Sequence, residues 1–235
     1  MRGLCIAIEG IDGSGKRTLS ENLRNKIVKE LNTEAEIISF PRHKEEFSGE
    51  LVDKFLYEGL RFNKDDYQPI REGMLYSIDR MVSLGRIREN GLSKMDELNN
   101  GKTLIFDRYL SSNFIHRCNN MDEEDLKDYI HLMEDVEFNI MGLPIPDITI
   151  VLSVKPEVSY ENIMKRGRET DENESIENLR KSYEKLTMLC DIQGYKLVDC
   201  CRLNSEGNYE MKTREEILEE VWNVINTELR KRQAN

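Results

Sequence analysis

Leu4-Cys5-Ile6-Ala7-Ile8-Glu9-Gly10-Ile11-Asp12-Gly13-Ser14-Gly15-Lys16-Arg17-Thr18-Leu19 is the stretch on which the fold turns. Residues 4–8 are continuously apolar and few, as in a strand buried on both faces of a parallel sheet. Gly10-x-x-x-x-Gly15-Lys16 then has the spacing of a phosphate-holding loop. Its glycines let backbone N–H groups turn inward around an anion. The helix that follows presents its unpaired N–H groups to the same anion, and Lys16 adds a full charge. Leu19, Leu23, Ile27 and Leu31 recur every four residues, so a helix with one apolar stripe is expected from Arg17 to about Leu31. The residue after the lysine of such a loop is usually Ser or Thr, whose hydroxyl binds Mg²⁺. Here it is Arg17, which cannot ligate a metal. Either the ion is held by phosphates, water and a carboxylate, or the site has decayed.

Working outward, further strands are expected at Ile37–Phe40, stopped by Pro41, at Thr103–Phe106, at Ile148–Leu152 and at Tyr195–Val198. Helices are expected at Leu51–Leu60 (Leu51, Phe55 and Leu60 inward), Gln68–Asn90, Glu123–Phe138, Pro156–Lys165, up to about Cys190, and Thr213–Arg232. The long helix carries Met74, Leu75, Ile78, Met81, Val82 and Leu84. Alternating strands and helices mean right-handed crossovers and a sheet covered on both sides. The expected architecture is α/β: three layers of the P-loop NTPase kind, with a central five-stranded parallel sheet flanked by helices. No linker or repeat divides the chain, so residues 1–235 read as one domain. Asp107 ends an apolar strand, where a carboxylate for Mg²⁺ would stand.

Composition narrows the function. With 34 Lys and Arg against 45 Asp and Glu, the net charge of −11 argues against general nucleic-acid binding. Small phosphate ligands need only a few focused cations. The 5 cysteines are irregularly spaced, without a zinc pattern, and suggest free thiols in the cytoplasm or nucleus. No stretch reads as a membrane span. The guanine-reading segment Asn-Lys-x-Asp of GTPases is missing.

Four further segments join the loop: Phe40-Pro41-Arg42, Leu75-Tyr76-Ser77-Ile78-Asp79-Arg80, Asp107-Arg108-Tyr109 followed by Ser112-Asn113, and Gly142-Leu143-Pro144-Ile145-Pro146-Asp147. In this order and spacing the chain resembles the thymidylate kinase family over nearly its whole length. The resemblance implies transfer of the γ-phosphoryl of ATP to dTMP, with Mg²⁺ accompanying ATP, by a homodimer. It implies that Gly10, Ile11, Asp12, Gly13, Ser14, Gly15, Lys16, Arg17 and Thr18 surround the ATP phosphates. Arg42 and Arg108 would hold the monophosphate, suited by permanent charge and paired hydrogen bonds. Phe40 would line the acceptor site. Asp12 would meet the sugar 3′-hydroxyl, Tyr76 would stack on thymine, Arg80 would bond a thymine carbonyl and Asn113 would read the base edge, with Ser112 close by. His116 holds a position where relatives usually have Gln or Tyr, used to exclude ribose. Lys165-Arg166-Gly167-Arg168 resembles the start of a lid, about 165–174. With Gly13 and Ser14 in the loop, the lid would supply the catalytic cation: Arg168 first, Arg166 second. Lys16, Asp12, Arg108 and Arg168 would thus be the catalytic set. Two rivals stand beside this reading: a deoxynucleoside or other P-loop nucleotide kinase, and a nucleotide-binding regulator without catalysis.

Overall fold

The computed structural model describes residues 2–118, 121–165 and 174–234. Five parallel strands form the central sheet: β1 (Cys5–Gly10), β2 (Ala35–Ser39), β3 (Thr103–Asp107), β4 (Ile148–Ser153) and β5 (Lys196–Asp199), in the order β2-β3-β1-β4-β5. β1 is central and buried along its whole length. That explains its unbroken apolar run, since both faces meet helices. This is the expected α/β architecture.

Helix α1 (Lys16–Leu31) covers one face together with α9 (Arg214–Ala234), α9 reaching it through Val221 and Ile225. Leu19, Leu23 and Ile27 are all buried, as their spacing requires. The other face carries α3 (Gln68–Gly85), α5 (Ser111–Arg117), α6 (Glu123–Glu134) and α8 (Ile176–Gln193), around Phe106, Phe114, Met133 and Leu186. A six-residue π-helical turn, Asp135–Ile140, extends α6. The short α7 (Pro156–Met164) follows β4.

The structure differs from the sequence reading in five places. Helix α2 runs from Phe47 to Tyr57, earlier than expected, and its inward residues are Val52 and Phe55. Leu60 is exposed because the helix ends before it, and Leu51 is exposed because it lies outside the buried stripe of Ser48, Val52 and Phe55. Helix α3 stops at Gly85, and Arg86 is already extended. Its apolar residues also divide: Leu75 and Leu84 face the core, while Ile78 and Met81 face out. Three elements were not expected. One is the short helix α4 (Lys94–Asn99), started by a reciprocal Ser93–Asp96 capping box. Another is the seven-residue helix α5 after the Arg108 turn. The third is an antiparallel hairpin of β6 (Cys201–Leu203) and β7 (Tyr209–Met211).

Register decides what stands at the site. Ile8 pairs with Asp107 on one side and Ile150 on the other. The loop beginning at Gly10 therefore leaves the sheet beside Asp107 and Arg108, at the carboxyl ends of the strands, where ligands of open α/β sheets collect. Leu23, with no exposed surface, anchors α1 beneath that loop. Leu23→Ala is expected to cost about 2–5 kcal/mol of stability, measured as a lowered urea midpoint with an unchanged slope.

Candidate active site

Positive backbone torsions shape the phosphate loop. Gly13 and Gly15 have φ of 81° and 86°, a region that glycine enters freely. A Cβ on Gly13 would lie 2.4 Å from the Ser159 carbonyl oxygen, so α7 presses directly on the loop. Lys16 is buried; its Nζ donates to the Gly10 and Ile11 carbonyls, 2.9 Å each. Burial, and then the guanidinium of Arg108, lower its pKa to about 8 against the pull of Asp12, Asp107 and Glu9. Arg17 turns away along α1 to Glu21, at 3.3 Å. It neither blocks the loop nor offers it an oxygen.

Beside the loop lies the turn that follows β3. Arg108 has φ of 70°, unusual for a residue with a Cβ. Two bonds hold this strained turn: Arg108 N–H donates to Ile8 O at 3.0 Å, and Tyr109 N–H donates to the Glu9 carboxylate at 2.8 Å. The other Glu9 oxygen accepts from Ser112 Oγ at 2.7 Å. Glu9 has no exposed surface, and burial raises its pKa against the help of these donors. The Arg108 guanidinium bonds Asp12 on one side and donates to His116 Nε2, at 3.0 Å, on the other. Because a guanidinium cannot accept, Nε2 of His116 is unprotonated. Burial first, and then Arg108, push His116 down to about 3.

A cavity of about 220 Å³ opens here. It gathers eight of the nine residues expected for an acceptor: Asp12, Phe40, Tyr76, Arg80, Arg108, Ser112, Asn113 and His116 all line it. Arg42 does not. Its backbone N–H is fixed by Asp79, at 2.8 Å, and its guanidinium pairs with Glu45 at the edge. Its Nε is buried without a partner among the described residues. Tyr76 is buried, and its hydroxyl accepts from Arg117 at 2.5 Å. Arg80 is paired with the buried carboxylate of Glu137. Asp107 stands at the strand end, close enough to Lys16 to oppose the fall in its pKa. Arg166 and Arg168, with most of the expected lid, lie outside the described residues.

Three residues of the site went unread in the sequence. Glu9 looked like the polar end of a strand, although it sits in the same Glu-Gly pair that opens the loop. Arg117 packs over the rings of Tyr76 and Phe55, at 5.0 and 5.4 Å, and pairs with Glu72 at 3.3 Å. It follows His116 on α5, and nothing in its spacing marked it. Glu137 did leave a signal: it continues the buried stripe Leu126, Ile130 and Met133 of α6. A carboxylate at a core position calls for a buried partner.

A family model described as thymidylate kinase matches residues 8–202. A probable thymidylate kinase of Sulfolobus acidocaldarius is 29% identical over 221 residues, covering 94% of this chain and 95% of its own. A thymidylate kinase of Leptospira interrogans is 29% identical over 184 residues, covering 77% and 80%. The solved thymidylate kinase of Candida albicans superposes with a TM-score of 0.67 at 22% identity, over 96% of this chain and 92% of that one.

His116 yields a pH signature. Its folded pKa lies below the unfolded value of 6.5, so acid protonates the unfolded chain first. Its contribution to stability is present above about pH 6.5 and is lost as pH falls toward 3. The charges that set it are Arg108, Asp12, Arg117 and Lys16. His116→Gln, which can still accept from Arg108, is expected to lose less melting temperature than wild type between about pH 6.5 and 4.5. Equal slopes in thermal scans would show that His116 is not held neutral.

Proposed function

This chain belongs to the thymidylate kinase family, and from that premise we propose that it phosphorylates dTMP through the residues gathered around Arg108, drawing the phosphoryl group from ATP. Phosphorylation of dTMP to dTDP is the activity of the family, and the chain is a nucleoside monophosphate kinase. The observation that carries the site assignment is the single cavity that holds Asp12, Tyr76, Arg80, Arg108 and Asn113 against the phosphate loop.

The loop N–H groups at the start of α1 and the ammonium of Lys16 take the donor phosphates. A triphosphate brings Lys16 the anion that burial denies it, so its charge is fully restored when it is needed. Arg108 and Arg42 take the acceptor phosphate. Each is paired to a carboxylate with solvent access: Asp12 at 22% side-chain exposure and Glu45 at 67%. Such pairs are weak and exchange readily for a phosphate dianion. Released from Arg108, Asp12 is left to accept from the sugar 3′-hydroxyl. Tyr76 faces the base and Asn113 its edge. Arg166 and Arg168 would bring the lid cation. Catalysis is positioning and electrostatic stabilisation, with no covalent intermediate.

One carboxylate plus substrate phosphates is an ordinary Mg²⁺ site, and Asp107 supplies that carboxylate. Asp107 would hold the ion together with the donor phosphates, and a bound Mg²⁺ would supply positive charge against the negative charge developing on transfer. Arg17, turned out to Glu21, does not compete for the same space.

We also place the chain in a reducing compartment, cytoplasmic or nuclear, as one domain acting in a homodimer. All five cysteines are free. Among the described residues no helix is long and apolar enough to cross a membrane. The outward stripe of α3, Met74, Ile78, Met81 and Gly85, repeats at 3.5-residue spacing and lies beside the exposed Phe47 of α2. A second copy packed against this stripe would cover it.

A coupled ADP-release assay with dTMP, dUMP, UMP and thymidine tests the reaction, with dTMP expected to give the highest kcat/KM. Lys16→Met is expected to lower kcat on the order of a hundredfold or more; wild-type turnover would overturn its role. Met81→Glu is expected to convert a dimer to a monomer in light scattering. An unchanged mass would remove the α3 stripe as the interface.

A further inference from the structure

The arginines in and beside the cavity are not equivalent. Arg108 and Arg42 lean on carboxylates that solvent reaches. Arg80 and Glu137 are both enclosed, at 2% and 0% side-chain exposure. Nε of Arg80 lies 3.1 and 3.0 Å from the two Glu137 oxygens, and one terminal nitrogen bonds the same carboxylate. Ser77 Oγ donates to Glu137 at 2.6 Å. The Tyr109 ring covers the guanidinium, with 5.8 Å between them. Among the described residues the second terminal nitrogen of Arg80 bonds nothing, and Arg80 lines the cavity.

A buried ion pair cannot be exchanged as a surface pair can. Separating it would leave two enclosed charges without partners, which is strongly unfavourable. The pair therefore persists when the cavity fills. Its sum is neutral, while its remaining N–H groups still donate. Such a group suits an uncharged carbonyl oxygen and gives a phosphate no net attraction. Arg108, which lines the same cavity and pairs with a solvent-accessible carboxylate, has the reverse property.

We propose that Glu137 is a positioning residue of the acceptor site: it fixes Arg80 and cancels its charge, so that Arg80 donates to a neutral carbonyl-bearing base and offers phosphate no net attraction. The phosphate is thereby left to Arg108, and the base to Arg80. The device is built by two facing helices. Arg80 lies on the buried face of α3, and Glu137 lies where the α6 stripe passes into the π-helical turn. That turn is closed by Met141 N–H to Val136 O and Leu143 N–H to Glu137 O, 2.8 Å each. The proposal rests on reading the cavity as the dTMP site.

Steady-state kinetics of Glu137→Gln with dTMP and with inorganic phosphate as inhibitor test it. Glutamine keeps the shape and leaves Arg80 charged. The KM for dTMP is expected to rise about tenfold or more, as for loss of a hydrogen bond to a charged group, with kcat changed far less. Phosphate is expected to inhibit competitively at lower concentration than in wild type. Should Glu137→Gln fail to fold, Arg80→Met/Glu137→Met removes both charges together, a change that buried pairs tolerate. That double variant is expected to raise the KM without gaining phosphate inhibition. Leu126→Ala, on the same helix, separates loss of stability from loss of positioning: a lower melting temperature with an unchanged KM is expected. A folded Glu137→Gln with wild-type KM and wild-type phosphate inhibition would overturn the proposal, as would a double variant with wild-type KM. Wild-type protein without activity on dTMP would instead overturn the reading of the cavity.

Discussion

The carboxylate of Glu9, wholly enclosed at the carboxyl end of β1, holds the site together. One of its oxygens takes the N–H of Tyr109 and the other the hydroxyl of Ser112. The strand that leads into the phosphate loop is thus bonded to the turn that aims Arg108. Parallel pairing brings the two strand ends level, with Ile8 opposite Asp107. Pairing alone does not force Arg108 into a left-handed backbone. That conformation costs on the order of 1–3 kcal/mol, and Glu9 is part of what over-determines it. Donor loop and acceptor turn are consequently one rigid unit, set before either nucleotide arrives. A charged group with no exposure is a demanding way to achieve this. Desolvation raises the Glu9 pKa, and Ser112, Tyr109, Arg108 and Lys16 all work in the opposite direction.

Charge pairing then distinguishes the cations around the cavity. Lys16, Arg108, Arg80 and Arg117 stand near one another, and so many bare cations would repel. Carboxylates relieve that repulsion in graded fashion. Asp12 has partial access to solvent and can be traded for a ligand. Glu137 is sealed and cannot be. Glu72 sits between these extremes, with Arg117 lying over the Tyr76 ring. The difference lies in burial rather than distance: a screened pair is easily exchanged, while an enclosed pair behaves as one dipolar donor. The same residue type thus stands in two environments, one pair open to exchange and one sealed.

Much of this was legible in the chain before folding. The inner strands β1, β3 and β4 are short apolar runs buried on both faces, which is the easiest pattern to read; the edge strands β2 and β5 are more exposed and read more weakly. The loop and the Asp107-Arg108-Tyr109 turn have fixed local spacing, so their positions followed. Eight expected acceptor residues meet in one cavity. What escaped notice depends on long-range pairing. Glu9 reads as a strand end until Tyr109, 100 residues away, comes beside it. Glu137 reads as one acid among several until Arg80 is opposite. Helices α4 and α5 and the β6–β7 hairpin are too short to show a period. Leu51 and Leu60 were placed inward because the end of α2 at Tyr57 and its buried stripe of Ser48, Val52 and Phe55 leave little apolar signal in the sequence. On α3 the apolar residues divide between the core and the exposed face, and a list of apolar residues does not say which face each occupies.

Arg17 shows how position within an element overrides a motif rule. The residue after the loop lysine is the second of α1, and its side chain can point toward the phosphates or out along the helix. A hydroxyl is short and stays near the loop. An arginine is long and flexible, and here it extends to Glu21 four residues on, a pairing suited to a helix surface. Losing the hydroxyl removes one oxygen beside the loop but places no cation there. The substitution leaves the loop backbone in the form its glycines dictate.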